Sequence, residues 1–210
     1  MKADPLGERS LIIRELNETP VSAAAKFKLR LPGLQDAVPC YGTVGLYFSE
    51  NVPSIEMLQH ALEEPLVLKK STLHTIPVCY ELEQDLSAAA IELGVSIQTL
   101  VHLHCSKTYI CSTVGFVPGF AYLGDLAPEI ATLKRLSTPR ISVDAGSVAI
   151  AGKQTAVYPT STPGGWWIIG KTPLMLVNEA EGYFPIAAGD RVTFRRIGRD
   201  EFETMRDCRL

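Results

Sequence analysis

Apolar and polar positions follow two rhythms along the first part of the chain. Ser10–Leu16 (SLIIREL) is a short β-like run, and Thr19-Pro20 supplies a cap and first-turn pair for a helix. Ala24, Phe27 and Leu31 then recur at helical spacing until Pro32-Gly33 stops the element. Two strand-like runs follow, DAVPCY (36–41) and Thr43–Ser49, parted at Tyr41-Gly42. Pro53 opens a second helix with Ile55, Leu58, Ala61 and Leu62 on one face. LVLKK (66–70) and HTIPVCY (74–80) offer one or two further strands. The order β-α-β-β-α-β is the split βαβ, or ferredoxin-like, pattern and predicts an N-terminal α+β domain over residues 1–84.

From Asp85 the texture changes. Asp85 and Ser87 can cap a helix through Ala88–Leu93, ended by Gly94, and Ser96 caps a second from Ile97 to about Ser106. Two short helices about a glycine resemble a helix-turn-helix. However, residues 1–105 carry 8 basic and 13 acidic side chains, and the second helix has no Lys or Arg before Lys107. A recognition helix needs phosphate-directed charge, so residues 85–106 are expected to be a helical connector between domains. After Lys107 short β-rich runs take over: TYICSTVGF, SVAIAG, TAVYP, WWIIG, LMLV and RVTFRR, divided by Gly/Pro clusters. They predict a compact β-barrel or sandwich over 107–210.

Composition sharpens this picture. The 210 residues are 46% hydrophobic and 20% charged with a net charge of −3, which supports a packed core and disfavours a nucleic-acid partner. The opening MKADPLGERS lacks the apolar region of a signal peptide, and no run reaches the roughly 18 apolar residues of a membrane span. Cys40, Cys79, Cys105, Cys111 and Cys208 are odd in number, with no C-x-x-C spacing, and are expected to be reduced thiols. These features predict a cytoplasmic protein without a membrane partner. Eight of the 16 Gly and five of the 14 Pro fall within Gly115–Gly170, so special backbone geometry concentrates there. Between Ala145 and Asn178 only Lys153 and Lys171 are charged, as in the walls of a pocket or an interface.

One motif in this window is formally complete. Gly165–Thr172 (GWWIIGKT) satisfies G-x-x-x-x-G-K-[ST], the phosphate-loop signature. Its loop positions hold two Trp and two Ile, which favour a strand, and Pro173 biases Thr172 away from the helix that a phosphate loop requires. The segment is therefore expected to be a strand. His102 and His104 lie two apart on a predicted helix and diverge, while His60 and His74 have no ligand-type neighbours at metal spacing, so no metal is expected. No G-x-S-x-G elbow or Cys-His-Asn arrangement is present.

What remains is GFVPGFAYLGDL (115–126), STPR (137–140), AGSVAIAGKQTAVYP (145–159) and TPGGWWIIGKTP (162–173). Phe116, Phe120, Tyr122, Tyr158 and Trp166 can supply flat walls, and Arg140, Gln154 and Lys171 can hold an anionic or amide-bearing ligand. The same residues also suit the turns and buried aromatics of a barrel, and spacing alone favours that reading. These four segments, in this order, resemble the signature blocks of the KipI/allophanate hydrolase subunit 1 family, which includes subunits of 5-oxoprolinase. HTIPVCY (74–80) and LHCSKTY (103–109) resemble further blocks, so the likeness covers nearly the whole chain.

The resemblance implies an N-terminal α+β domain and a C-terminal cyclophilin-like β-barrel. It implies work beside a homologous C-type subunit (KipA or allophanate hydrolase subunit 2-like) and a LamB/YcsF-type (A-type) subunit. The complex would use ATP to open 5-oxoproline to glutamate. The family's recurrent positions fall on His104, Phe116, Pro118, Gly119, Phe120, Tyr122, Arg140, Ser147, Gln154, Tyr158, Pro163, Gly164, Gly165 and Trp166, expected to line a pocket; no catalytic role is assigned to any of them. In a hydrolase, Arg140 would hold a carboxylate or phosphate and Gln154 an amide. Other members of the family suggest an alternative, a regulator that docks on a histidine kinase and blocks it. A prolyl-isomerase reading rests on fold analogy alone. The sequence departs from the family pattern at Glu81–Leu86, where a glycine-rich loop is usual, and at Ala121, Ala156 and Lys171.

Overall fold

The computed structural model describes residues 1–67, 70–82 and 84–210. The strand expected at 66–70 falls partly on Leu68 and Lys69, and the shortened loop includes Glu83; these three residues lie outside the described residues. The chain divides into two compact units, Met1–Lys70 and Ser71–Leu210.

The first unit contains β1 (Lys2–Pro5), β2 (Ser10–Arg14), α1 (Pro20–Arg30), β3 (Leu34–Cys40), β4 (Thr43–Phe48) and α2 (Ile55–Glu63). Thr19 caps α1 by accepting from the Ser22 N–H at 3.2 Å, with Pro20 in the first turn, as the sequence predicts. Ala23, Ala24 and Phe27 pack on Leu11, Ile13, Val44 and Leu46, the alternate positions of β2 and β4. The sheet order is β1-β2-β4-β3, antiparallel throughout. This is the split βαβ arrangement with one replacement. The edge beside β2, which the pattern would give to the strand in HTIPVCY, is taken by β1.

That strand, β5 (Leu73–Val78), belongs to the second unit. It is followed by α3 (Leu86–Leu93), α4 (Ile97–Cys105), β6 (Thr108–Val114), β7 (Ala121–Gly124), β8 (Arg140–Val143), β9 (Ser147–Ala151), β10 (Gln154–Val157), β11 (Thr162–Gly164), β12 (Trp167–Lys171), β13 (Arg191–Arg196) and α5 (Arg199–Thr204). The seven-stranded sheet runs β12-β9-β10-β7-β6-β13-β5, with β5 and β13 parallel. Its two outer strands meet where Cys79 and Lys171 exchange backbone hydrogen bonds of 2.8 and 3.0 Å, so the sheet is a nearly closed barrel. Gly170 permits this approach: a Cβ there would sit 2.6 Å from Val78 Cγ1 and 3.3 Å from the Cys79 carbonyl oxygen.

Two boundaries therefore differ from the sequence-based division. The first unit ends at Lys70 rather than near residue 84, because Ile76 and Val78 of β5 are fully buried in the second core. Residues 85–106 are part of that core rather than a connector: Leu86, Ala89 and Ala90 of α3 and Leu100 and Val101 of α4 pack against Tyr109, Val192 and Phe194. The segment spelling the phosphate-loop signature forms β12, as its Trp and Ile residues predict. LMLV (174–177), expected as a strand, contributes only an isolated bridge between Met175 and Arg209. Among the described residues no single helix is long and apolar enough to cross a membrane.

Candidate functional site

Strand alternation gives the second unit two apolar faces. Val148, Ile150, Val157 and Ile169 point into the main core, while Ala149, Ala151, Ala156 and Ile168 form a floor of small side chains on the opposite face. Phe120 lies on that floor, 2% exposed, with its ring edge-on to Phe116 (5.4 Å), Tyr122 (4.9 Å), Tyr158 (5.2 Å) and Trp166 (5.8 Å). Such T-shaped contacts at 4.5–7 Å are the favoured aromatic geometry. Five of the predicted positions thus meet in one cluster. Gln154 and Ser147 share its face by strand periodicity. Ser147 is buried, and Gln154 is half-buried with no hydrogen-bond partner for its amide among the described residues.

Backbone exceptions shape the rim. Phe116 has φ +73° and is exposed, and Gly119 has φ +76°. A Cβ on Gly119 would lie 2.1 Å from Val177 Cγ2, so this turn admits only glycine. Pro118 between them is exposed. On the other side β8 and β11 form a two-stranded strap carrying Pro163 and Gly164. A Cβ on Gly164 would fall 2.2 Å from the Tyr158 hydroxyl, so the missing side chain is what lets the phenol in. Burial pushes the Tyr158 phenol above its ordinary pKa, which keeps it protonated. The Gly165 carbonyl accepts from the Leu136 N–H at 2.7 Å.

Arg140 stands at the edge of the cluster with both terminal nitrogens in contact with protein acceptors. One guanidinium nitrogen reaches Asp85 Oδ1 at 2.5 Å and the other the Trp166 carbonyl at 3.3 Å. Asp85 Oδ2 in turn accepts from the Ile168 N–H at 2.7 Å. These contacts tie the start of α3 to β8 and β12. Asp85, expected as a helix cap, occupies the N-cap position of α3 but makes no capping bond, because its carboxylate is turned to Arg140 and Ile168. Arg135 also faces the cluster, 5.9 Å above the Trp166 ring.

His104 lies apart from this cluster, fully buried in the main core and stacked 4.4 Å from Phe194. Its Nδ1 is 2.6 Å from the Tyr80 hydroxyl and its Nε2 is 2.8 Å from that of Thr155. Thr155 donates to the Ala149 carbonyl, so it accepts from Nε2–H, and Tyr80 donates to Nδ1. Burial lowers the imidazole pKa to about 3, so the ring is a neutral crosslink rather than a pocket base.

Two cavities lie elsewhere. One, of about 220 Å³, borders Lys171, the last residue of β12. The other, of about 490 Å³, lies within the first unit beside Glu15, Glu18, Glu63 and Lys26. Sequence reasoning singles out Lys171 but not the cavity, whose walls come from segments distant in the chain. Among the described residues no three His, Cys, Asp or Glu side chains gather as a metal site. The aromatic cluster offers flat apolar surface and one amide, which suits packing and recognition.

Residues 1–184 match the family described as carboxyltransferase domain, subdomain C and D, and the chain belongs to that family. Within it, the chain is similar to the B subunit of 5-oxoprolinase from Bacillus subtilis, 34% identical over 97% of this chain and 96% of that one. It is likewise similar to the B subunit of 5-oxoprolinase from Escherichia coli O157:H7, 36% identical over 90% of this chain and 93% of its relative. Among solved structures, TTHA0988 superposes with a TM-score of 0.78 at 32% identity. That match covers 90% of this chain but 40% of TTHA0988, so this chain spans less than half of that longer one.

Proposed function

We propose that this chain is the B-type subunit of an ATP-dependent 5-oxoprolinase, converting 5-oxoproline, ATP and water to glutamate, ADP and phosphate. The observation that carries the reading is its likeness, along nearly its whole length, to relatives named as the B subunit of 5-oxoprolinase. The partners are a homologous C-type subunit and a LamB/YcsF-type (A-type) subunit. The chain is inactive alone: the aromatic cluster presents no paired nucleophile and base, and His104 is locked as a neutral crosslink.

Neither of these two cavities presents a cluster of cations for a triphosphate. The smaller, about 220 Å³, is below the roughly 300–1,000 Å³ of sites for drug-sized ligands. The larger is bordered by Glu15, Glu18 and Glu63, which repel a triphosphate. ATP is used by the complex, and no step of its chemistry is placed on this chain. The test is to co-purify the chain with both partners and measure glutamate from 5-oxoproline with and without ATP. Glutamate that requires all three chains and ATP supports the reading. None from an intact complex, beside a working reference enzyme, overturns it.

A further inference from the structure

The turn that leads into β7 is fixed by its own backbone. Gly115 N–H donates to the Phe120 carbonyl (3.1 Å), Val117 N–H to that of Gly115 (3.0 Å) and Phe120 N–H to that of Val117 (3.1 Å). These bonds hold Phe116 at φ +73°, a left-handed conformation that an aromatic residue rarely adopts. Strained residues persist where their surroundings over-determine them, and they gather at binding and switch sites. The Phe116 ring is nevertheless 60% exposed, with one edge-on contact, to Phe120. Burial in the core does not account for it.

Phe184 stands against the same turn. Gly119 leaves room for it: a Cβ there would meet Phe184 Cδ1 at 3.5 Å. Phe184 is 45% exposed, and Pro118 is exposed as well. The segment carrying Phe184 is also held firmly. Tyr183 and Asn178 exchange backbone bonds of 2.9 and 3.0 Å, and the Tyr183 hydroxyl donates to the Leu210 carbonyl at 2.8 Å. No Asp, Glu, Lys or Arg occurs within residues 108–124 or 182–189. Of the charged residues that flank them, Lys107 bonds the Asp125 carbonyl (2.6 Å), Glu181 pairs with Arg209, and Asp190 with His74 (3.2 Å).

We infer that Phe116, Pro118 and Phe184 form the docking surface for the C-type subunit, with the two phenyl rings as its anchors. Exposed aromatics on an uncharged ground have the composition of an interface centre, and their fixed backbone has little freedom to lose on docking. Such a surface sets no like charges against a copy of itself. A homologous subunit carrying the equivalent turn can therefore seat on it in pseudo-twofold fashion, which favours the C-type over the A-type partner. TTHA0988 carries this fold within less than half of its own chain, so in that relative the fold is joined to a larger body of polypeptide. The identity of the partner rests on the proposed function.

The test measures binding of the full chain to the C-type subunit by calorimetry, with sedimentation of each chain alone. Phe116→Gly and Phe184→Ser each weaken binding about tenfold, as expected for aromatic anchors, and the double variant weakens it further. Glycine suits a positive φ, so Phe116→Gly stays folded, which urea unfolding checks. Phe116→Tyr keeps the ring and retains binding, and Ile91→Ser, at an exposed apolar position on α3, binds as the wild type does. Wild-type affinity in the double variant overturns the surface; 5-oxoproline turnover by its three-chain complex would leave the proposed function standing. Weakened binding by these variants, with a wild-type complex that makes no glutamate, supports the surface and overturns that function. A wild-type chain that does not bind the C-type subunit overturns the surface. A chain that sediments alone as a dimer, and as a monomer in the double variant, assigns the patch to a second copy and overturns the C-type occupant.

Discussion

Asp85 and Arg140, 55 positions apart in the chain, meet at 2.5 Å, and the same aspartate accepts the Ile168 N–H at 2.7 Å. Both side chains are mostly shielded, 12% and 26% exposed, so the pair is not an ordinary surface ion pair. One carboxylate thereby joins the start of α3 to two separate strands beside the aromatic cluster.

Asp85→Asn keeps an acceptor for Ile168 but loses the charge opposite Arg140, whereas Asp85→Ala loses both. The expected destabilisation is about 1–3 kcal/mol, larger for alanine than for asparagine. Urea unfolding read by tryptophan fluorescence checks this order, and equal losses would assign all of the effect to the charge opposite Arg140 and none to the Ile168 bond.

Gly164→Ala places a Cβ 2.2 Å from the Tyr158 hydroxyl and 2.8 Å from its Cζ. Overpacking of this kind costs about 1–3 kcal/mol. Tyr158→Phe removes the nearest atom and leaves the ring, so in the double variant part of the loss is recovered. A double-mutant cycle measures the coupling; strict additivity would mean that the two residues do not touch.

Gly170→Ala acts on barrel closure. Its methyl group meets Val78 Cγ1 at 2.6 Å and the Cys79 carbonyl at 3.3 Å, beside the bonds that join the outer strands. Faster hydrogen exchange at the Cys79 and Lys171 amides is expected, with Val78→Ala restoring part of the protection. Unchanged exchange would show that the seam accommodates a methyl group.

The buried imidazole of His104 makes stability depend on pH. An unfolded histidine protonates near 6.5, but in the folded chain His104 does so only near 3. Between these values the unfolded chain holds the extra proton, so stability falls as pH falls, by up to about 1.4 kcal/mol per unit, and levels off below the folded value. Urea midpoints from pH 7.5 to 5 should drop more steeply for the wild type than for His104→Gln. The His104 imidazole NMR signal, assigned by its loss in His104→Gln, titrating inside that range would contradict the argument.

Local pattern carries the first unit well, because Thr19-Pro20, the Tyr41-Gly42 turn and the alternation in β2 and β4 each act over a few residues. It fails where the deciding partner is far away. HTIPV reads as a strand from its own residues, but its sheet is chosen by β13, more than a hundred positions later. The helices after Asp85 resemble a connector because Ala89, Ala90 and Leu100 give no hint of which surface they will cover. In the candidate site, aromatic and glycine positions are legible as a group, since both residue types announce flat contacts and tight turns. The roles of Arg140 and His104 are not, because a charged or titratable side chain in a sequence does not reveal whether its partner is a ligand or another residue.

The position of β13 between β5 and β6 sets an order of events during synthesis. β5 has no partner strand until the thirteenth arrives, and β6 has β7 on one edge only, so the barrel cannot be finished until residues 191–196 have left the ribosome. Long-range pairing of this kind is slow and leaves strand edges open to other chains in the meantime. A stop codon just before Arg191 would therefore yield a polypeptide with most of its core side chains and two unpaired strand edges, prone to aggregate rather than to fold into a smaller barrel.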